Sequence, residues 1–249
     1  MVSTRSSSRA LDAPFDTITP PPEPKTMLST TKTPRRAPAS RSSPVAAPGV
    51  FAHDPTTLTL AWLAISLPLV FWDTCYVLGR PHTMPGGALH SPFWVPYALY
   101  GEIDGVYGFK AFHARDGFTG AQSALNVVES LMYAVYLYIC LRRGRVHDPA
   151  GATTPTNPPR VAVTGRAGAV AILVGFSAAV MTLSKTVLYW LKEYYSGFDN
   201  IGHNTAFDLI FLWIIPNGAW LVGSTYMIVS MGREIVDGLA GPSRDTKRD

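Results

Sequence analysis

The stretch TAFDLIFLWIIPNGAWLVGSTYMIVSM, residues 205–231, decides the fold of this chain. It is apolar throughout, apart from Asp208 near its start and an Asn217/Trp220 pair in its middle. At about 1.5 Å rise per residue, a helix of this length crosses a hydrocarbon layer of about 30 Å. The stretch therefore predicts a transmembrane helix that carries an amide and an indole at mid-membrane depth.

Three further apolar stretches are long enough to span a membrane, at residues 58–78, 121–141 and 167–191. Each contains one charged residue, which is Asp73, Glu129 and Lys185 in chain order. The third stretch is rich in Gly and Ala, which favours close helix packing. The fold class predicted is all-α: a polytopic membrane protein with a bundle of four transmembrane helices.

The polar segments divide the chain into a membrane domain and two tails. Residues 1–52 are rich in Ser, Thr and Pro and predict a disordered tail. The membrane domain covers residues 53–237, and a second tail covers residues 238–249. Between the first two spans, Gly, Pro and aromatic residues predict compact loop pieces and no further span. Residues 142–166 predict a polar loop.

The basic residues predict the orientation and exclude one class of partner. The side of the two termini carries sixteen Lys and Arg and the opposite side four, with Lys185 inside a span. This asymmetry predicts cytoplasmic termini and aromatic loops that face the lumen or exterior. The net charge is +4, but the basic residues lie in tails and loops beside apolar runs, so nucleic-acid binding is not expected.

The charged residues of the spans lie at similar depths. Measured from the lumenal side, Asp73, Glu129 and Lys185 lie about 8, 12 and 9 Å into the layer. Asn217 and Trp220 lie about 18–22 Å deep. A charge at a helix centre costs roughly 2.5–3.5 kcal/mol, so these residues are expected to face a common cavity in the bundle.

Each of these side chains also has a structural interpretation. Asp208 is expected at the start of its helix, where the helix dipole favours an acid. Lys185 is expected to snorkel or to pair with a neighbouring acid. Asn217 can be an interhelical hydrogen bond and Trp220 a packing residue. The six histidines show no metal-ligand spacing, and no phosphate loop or nucleophile elbow occurs, so neither a metal nor a cofactor is predicted.

Several motifs resemble, in order, those of one membrane-protein family. They are LVFWDTCYVL at 69–78, WVPYALYGEIDGVY at 94–107, NVVESLMY at 126–133, VLYWL at 187–191 and NGAW at 217–220. The set is similar to the EXPERA-domain family, which includes the emopamil-binding protein, a sterol Δ8–Δ7 isomerase, and the sigma-2 receptor. The resemblance implies site roles for Asp73, Glu129, Asn217 and Trp220.

The first span departs from the isomerase pattern. Leu69 stands where the isomerase has a His, and Asp73 stands where it has a Glu. An Asp at this place is more similar to the sigma-2 receptor, which also has an acid where Asp104 falls. The resemblance therefore implies two functions: an isomerase that shifts a double bond in a sterol or terpenoid, or a non-catalytic sterol- or amine-binding protein.

The isomerase hypothesis assigns a role to each candidate residue. Glu129 and Asp73 are the catalytic pair: Glu129 protonates an alkene, and Asp73 balances the cation or takes the second proton. Substrate-binding roles fall to the remaining candidates, Asn217, Trp220, Asp104 and Lys185. The same pair would serve the opening of an epoxide or another terpenoid rearrangement. The expected partners are the bilayer of the endoplasmic reticulum and a hydrophobic substrate; a homodimer stays open.

Overall fold

The computed structural model describes residues 50–147 and 160–240. In chain order its elements are β1 (Ala52–His53), α1 (Thr57–Leu78), α2 (Pro96–Ile103), α3 (Phe109–His113), α4 (Phe118–Arg143), β2 (Arg145–His147), β3 (Arg160–Thr164), α5 (Gly165–Tyr195), α6 (Ala206–Asp208), a π-helical turn (Leu209–Ile214) and α7 (Ile215–Ala240). Most of the two predicted tails, residues 1–49 and 241–249, lies outside the described residues.

Four helical segments are long and apolar enough to cross a membrane: Thr57–Leu78, Phe118–Arg143, Gly165–Tyr195 and Ala206–Ala240. They confirm the four predicted spans and the all-α bundle. Much of their apolar surface points outward, and in the last span only 6% of the apolar window is buried inside the protein. A surface of this kind needs lipid as its solvent, so the chain is a multi-pass membrane protein.

The spans pack as a ring in the order α1, α4, α5, α7, and α7 closes the ring by a lighter contact with α1. Consequently α1 and α5 lie on one diagonal of the bundle. Gly175 of α5 shows how close the helices come: a Cβ there would lie 2.9 Å from the Tyr136 ring of α4 and 3.1 Å from Met231 Cε of α7. The predicted close packing of the small-residue span is confirmed.

A small sheet covers the end of the bundle where α1 begins, and we call it the sheet end. The prediction of a polar loop at residues 142–166 is wrong in part, because β2 and β3 form within this range. β3 pairs antiparallel with both other strands, so that Ala52 is opposite Thr164 and Val146 is opposite Val161. The β-branched residues of β3 favour an extended strand over a loop.

A cluster around His53 joins three segments at the sheet end. The His53 side chain is buried, and its Nδ1 lies 3.0 Å from each carboxylate oxygen of Glu234 on α7. Its Nε2 lies 3.0 Å from the hydroxyl of Tyr136 on α4. The Asp54 N–H also donates to Glu234, at 3.2 Å. The segment before α1 is therefore bonded to two other spans.

The opposite end, which we call the loop end, is formed by residues 79–117 and 196–205. α2 and α3 are short helices within the first connection, which contains no further span, as predicted. The two connections are bonded to each other, since Asn204 Nδ2 donates to the Ile103 carbonyl at 2.7 Å. This bond holds α2 over the bundle interior.

The last span begins with a cap and a π-helical turn. Thr205 Oγ1 accepts from the Asp208 N–H at 3.2 Å and donates to Asp208 Oδ2 at 2.7 Å, which confirms Asp208 as a helix-start residue. The turn at Leu209–Ile214 then leads into α7. The helix ends at Ala240, beyond the predicted boundary at residue 231.

Candidate functional site

A cavity of about 470 Å³ lies within the bundle beneath α2. Side chains from all four spans and from α2 line it, and most of them are apolar or aromatic. The volume falls in the range of about 300–1,000 Å³ that is usual for small-molecule sites. Four of the six residues predicted from the sequence line this cavity: Asp73, Lys185, Asn217 and Trp220.

Asp73 is fixed by two tyrosines from the loop end. The Tyr97 hydroxyl donates to Asp73 Oδ1 at 2.7 Å, and the Tyr107 hydroxyl donates to Oδ2 at 3.4 Å. Tyr97 is held in turn by stacking on Tyr76, with ring centroids 3.8 Å apart. It follows Pro96, which begins α2 and has the backbone geometry of a first helical turn. Each carboxylate oxygen of Asp73 accepts from one tyrosine hydroxyl, so each can accept a second hydrogen bond.

The tyrosines of the loop end are neutral phenols. Burial raises the pKa of Tyr97, Tyr100 and Tyr107 above the usual value of 10.0, and the nearby carboxylates raise it further. All three hydroxyls stay protonated at neutral pH. Their rings, together with those of Trp72 and Trp220, give the cavity an aromatic lining on several sides.

Lys185 and Glu129 form a buried ion pair. The Lys185 Nζ lies 2.9 Å from Glu129 Oε2, and the two side chains are 10% and 3% exposed. Lys185 also donates to Asn126 Oδ1. The predicted pairing of Lys185 with a neighbouring acid is confirmed. A second cavity of about 280 Å³ lies between α4 and α5; Lys185 lines both cavities, whereas Glu129 lines only the second one.

Asn217 and Trp220 occupy the wall formed by the last span. Asn217 Nδ2 donates to the Trp213 carbonyl at 2.9 Å and to the Tyr100 hydroxyl at 3.5 Å. Trp220 contacts Trp62 edge to face, with ring centroids 5.5 Å apart. Asn217 therefore links the π-helical turn to α2, and Trp220 presents an indole to the cavity.

Asp104 lies apart from the cavity. Its side chain is fully buried and accepts hydrogen bonds from the Val106 N–H and Trp213 Nε1, both at 3.0 Å, and from the Tyr189 hydroxyl. Burial raises the pKa of Asp104 to about 7, although the Val106 and Trp213 hydrogen bonds oppose the increase. Asp104 reaches the cavity through Tyr189, which is one of the lining residues.

Three residues that the sequence reasoning did not propose complete the site. Tyr97 and Tyr107 hold Asp73, and Asn126 holds Lys185. Both tyrosines lie inside the motif at 94–107, so the motif itself was the available signal. Asn126 lies three residues before Glu129 on α4, a spacing that puts both side chains on one helix face.

Comparisons with models of known families, with curated proteins and with solved structures yield no match to this chain. Within residues 50–147 and 160–240, no group of three or more His, Cys, Asp or Glu side chains is placed to hold a metal ion. The chemistry of the cavity must therefore be inferred from its own side chains.

Proposed function

We propose that this chain is a membrane isomerase that shifts a carbon–carbon double bond in a sterol or terpenoid. The observation that carries the proposal is the position of Asp73, a carboxyl group at the wall of an apolar cavity lined with aromatic rings. Such a cavity accepts a hydrophobic substrate from the bilayer and sets one acid beside it.

The chemistry needs only proton transfer. A carboxylic acid donates a proton to one alkene carbon, and the positive charge develops on the other. A carboxylate then removes a proton from the next carbon, and the C–H electron pair forms the new double bond. Asp73 fits both steps because it is restored at the end of the cycle. No atom is gained or lost overall.

The charge balance of the cavity suits a cationic intermediate. Lys185 and Glu129 neutralise each other at 2.9 Å, so an ionised Asp73 leaves one net negative charge facing the cavity. The indole of Trp220 and the tyrosine rings line the same cavity, and an indole face attracts a cation by about 2 kcal/mol when desolvated. The carbocation formed by protonation would be stabilised by both.

The geometry favours Asp73 over Glu129 as the acid that contacts substrate. The sequence hypothesis gives proton donation to Glu129, but Glu129 lies behind Lys185 and is not among the residues that line the main cavity. We assign Glu129 the role of counter-ion to Lys185. Asn217 keeps its proposed role in substrate binding, in which its amide group would orient a bound hydroxyl.

The order of the sequence motifs supports membership of the EXPERA-domain family as part of the same proposal. The count of basic residues supports cytoplasmic termini, which would put the sheet end in the cytoplasm and the cavity toward the lumen. The endoplasmic reticulum membrane is the location in which sterol and terpenoid substrates would be met.

A second function is favoured by one observation at the first span. Leu69 lines the cavity one turn before Asp73, so at that position a leucine, and not an imidazole, accompanies the carboxyl group. An aspartate surrounded by aromatic rings is also a binding site for an ammonium group. The alternative is therefore a non-catalytic receptor for a sterol-like amine.

Turnover in heavy water separates the two functions. Microsomes containing the full chain receive a Δ8-sterol and a panel of terpenoid alkenes in D₂O, and mass spectrometry follows the products. The isomerase yields a shifted double bond and a product one mass unit heavier. Asp73→Asn lowers this rate by about 100-fold or more because it removes the proton donor.

Asp208→Asn is the matched control, since the Asp208 carboxylate bonds to the N-cap residue Thr205 and does not line the cavity. It should leave the rate unchanged. If no alkene shifts and no deuterium enters any product, the isomerase proposal fails. High-affinity binding of a sterol-like amine that Asp73→Asn abolishes, without turnover, would establish the receptor function instead.

A further inference from the structure

We propose that Lys185 is a specificity residue that binds a neutral oxygen atom of the substrate, at the wall of the cavity opposite Asp73. The inference rests on the proposed function and deepens it. The ligand would be a hydrophobic molecule with a hydroxyl, ether or carbonyl oxygen set apart from its reacting double bond.

The ammonium group of Lys185 has spare hydrogen-bonding capacity. It has three N–H donors, and within the described part of the chain two of them have partners, Glu129 Oε2 and Asn126 Oδ1. Lys185 is one of the cavity-lining residues, and its side chain is only 10% exposed. A charged donor with a free N–H in an apolar site is costly, and an oxygen acceptor on the ligand would satisfy it.

The walls of the cavity differ in composition. The wall formed by α4 and α5 carries Gln122 and Thr186 beside Lys185 and Asn126. The walls formed by the other elements carry mostly apolar and aromatic side chains around Asp73, with Asn217 as a further amide. Polar side chains are thus most concentrated on the α4–α5 wall, where a pure hydrocarbon would give them no partner.

Asp73 and Lys185 reach the cavity from opposite sides of the bundle. α1 and α5 lie on one diagonal of the bundle, so Asp73 and Lys185 face each other across its interior. A ligand that spans the cavity would be held at both ends. Its oxygen would accept from Lys185, and its double bond would lie near Asp73.

The charges select a neutral oxygen. The Lys185–Glu129 pair has no net charge and Asp73 adds a negative one, so a carboxylate or phosphate ligand would be repelled. An amine at the α5 wall would face the Lys185 ammonium and would also be disfavoured. An alcohol, ether or ketone oxygen has neither problem.

Binding of saturated ligands tests the inference separately from catalysis. The purified full chain in detergent is titrated with 5α-cholestan-3β-ol, its methyl ether and the hydrocarbon 5α-cholestane, and tryptophan fluorescence reports binding. None of these has a double bond to shift. The alcohol and the ether should bind about 10-fold more tightly than the hydrocarbon. Equal binding of all three would overturn the inference even if the isomerase activity exists.

Variants identify the residue responsible. Lys185→Met alone would leave Glu129 buried without a partner, so Lys185→Met is combined with Glu129→Leu to remove the whole pair. In the double variant the preference for the oxygenated ligands should fall to less than about 2-fold. Lys192→Met is the control, because Lys192 pairs with Asp116 at the surface at 2.6 Å. It should keep the full preference.

If the double variant does not fold, Lys185→Arg gives the second readout. Arg keeps the charge and a donor, so the oxygen preference should be retained within about 3-fold. A preference that survives loss of the ion pair, or one that Lys192→Met removes, would show that Lys185 does not bind the oxygen.

Discussion

Both ends of the bundle bury ionisable side chains, and the two ends differ in what those side chains can still bind. At the sheet end, both ring nitrogens of His53 are occupied, one by Glu234 and one by Tyr136. At the loop end, Asp73 and Lys185 line a cavity and keep lone pairs or N–H donors for a ligand. Burial of charge alone therefore does not identify a functional site in a membrane bundle. Spare hydrogen-bonding capacity beside a cavity is the feature on which the proposed site rests.

The largest expected effect lies at the sheet end and concerns stability. His53→Ala leaves Glu234 and Tyr136 without their shared partner, so the free energy of unfolding in detergent should fall by roughly 3 kcal/mol. This is the low end of the range for a broken buried pair, because Glu234 is partly exposed. Thermal unfolding measures the loss. The rate of double-bond shift per folded molecule should stay unchanged. If His53→Ala lowered the rate of double-bond shift and left the free energy of unfolding unchanged, the sheet end would have a functional and not a structural role.

A smaller effect is expected at the loop end and concerns turnover. Trp220→Leu removes the indole that faces the cavity, which should lower turnover by about 10- to 30-fold if the ring stabilises a cation by about 2 kcal/mol. Trp220→Phe keeps an aromatic face and should lose less. Mass-spectrometric rates compare the two variants, and thermal unfolding should be little changed in either. Equal losses of turnover in the Leu and Phe variants would mean that the size of the side chain, and not its electron-rich ring face, matters.

The smallest effect, counted per pH unit, concerns the pH dependence of the loop end. The pKa of Asp104 is raised to about 7 in the folded state, from an ordinary value of 3.8. Between these values the folded state holds the proton more tightly than the unfolded state, so stability falls as pH rises toward 7 and levels off above it. Each pH unit in this window costs at most about 1.4 kcal/mol.

Asp104→Asn tests that prediction, because asparagine does not titrate. Melting temperatures of the wild type should decrease from pH 5 to pH 7, and the variant should lack this component of the decrease. Asp116→Asn, an exposed acid of the same end, is the control and should keep the wild-type slope. Equal slopes for the wild type and Asp104→Asn over this range would contradict the raised pKa of Asp104.

The fold was predictable because lipid solvation depends on local composition. All four spans were located from apolar runs alone, and α1 matches its predicted range of 58–78 to within one residue. The other helices extend further, as α4 does to Arg143 and α5 to Tyr195. Helical hydrogen bonds continue past the hydrocarbon layer, so hydropathy underestimates the ends. The pairing of β1 with β3 was missed since it joins segments more than 100 residues apart, such as Ala52 with Thr164.

The site was predictable in part, for a related reason. The cost of burying a charge identified Asp73 and Lys185 individually, and depth along each helix indicated that they share a cavity. The partners that hold them were not predictable from depth. Tyr107 comes from a connection outside the spans, 34 residues beyond Asp73. Its contact depends on how α2 folds back over the bundle, which periodicity does not report.

The π-helical turn at Leu209–Ile214 separates the last span into two parts that can vary independently. A π-helical turn holds one residue more than an α-helical turn, so loss of one residue there would leave an ordinary α-helical turn and keep the segments on either side in phase. The half of α7 that packs through Met227 and Met231 would keep its register. Trp213, which lies within the turn and bonds to Asp104, would not. A change of chain length at this turn would therefore alter the cavity wall near the turn during divergence and leave the packing of the rest of the bundle unchanged.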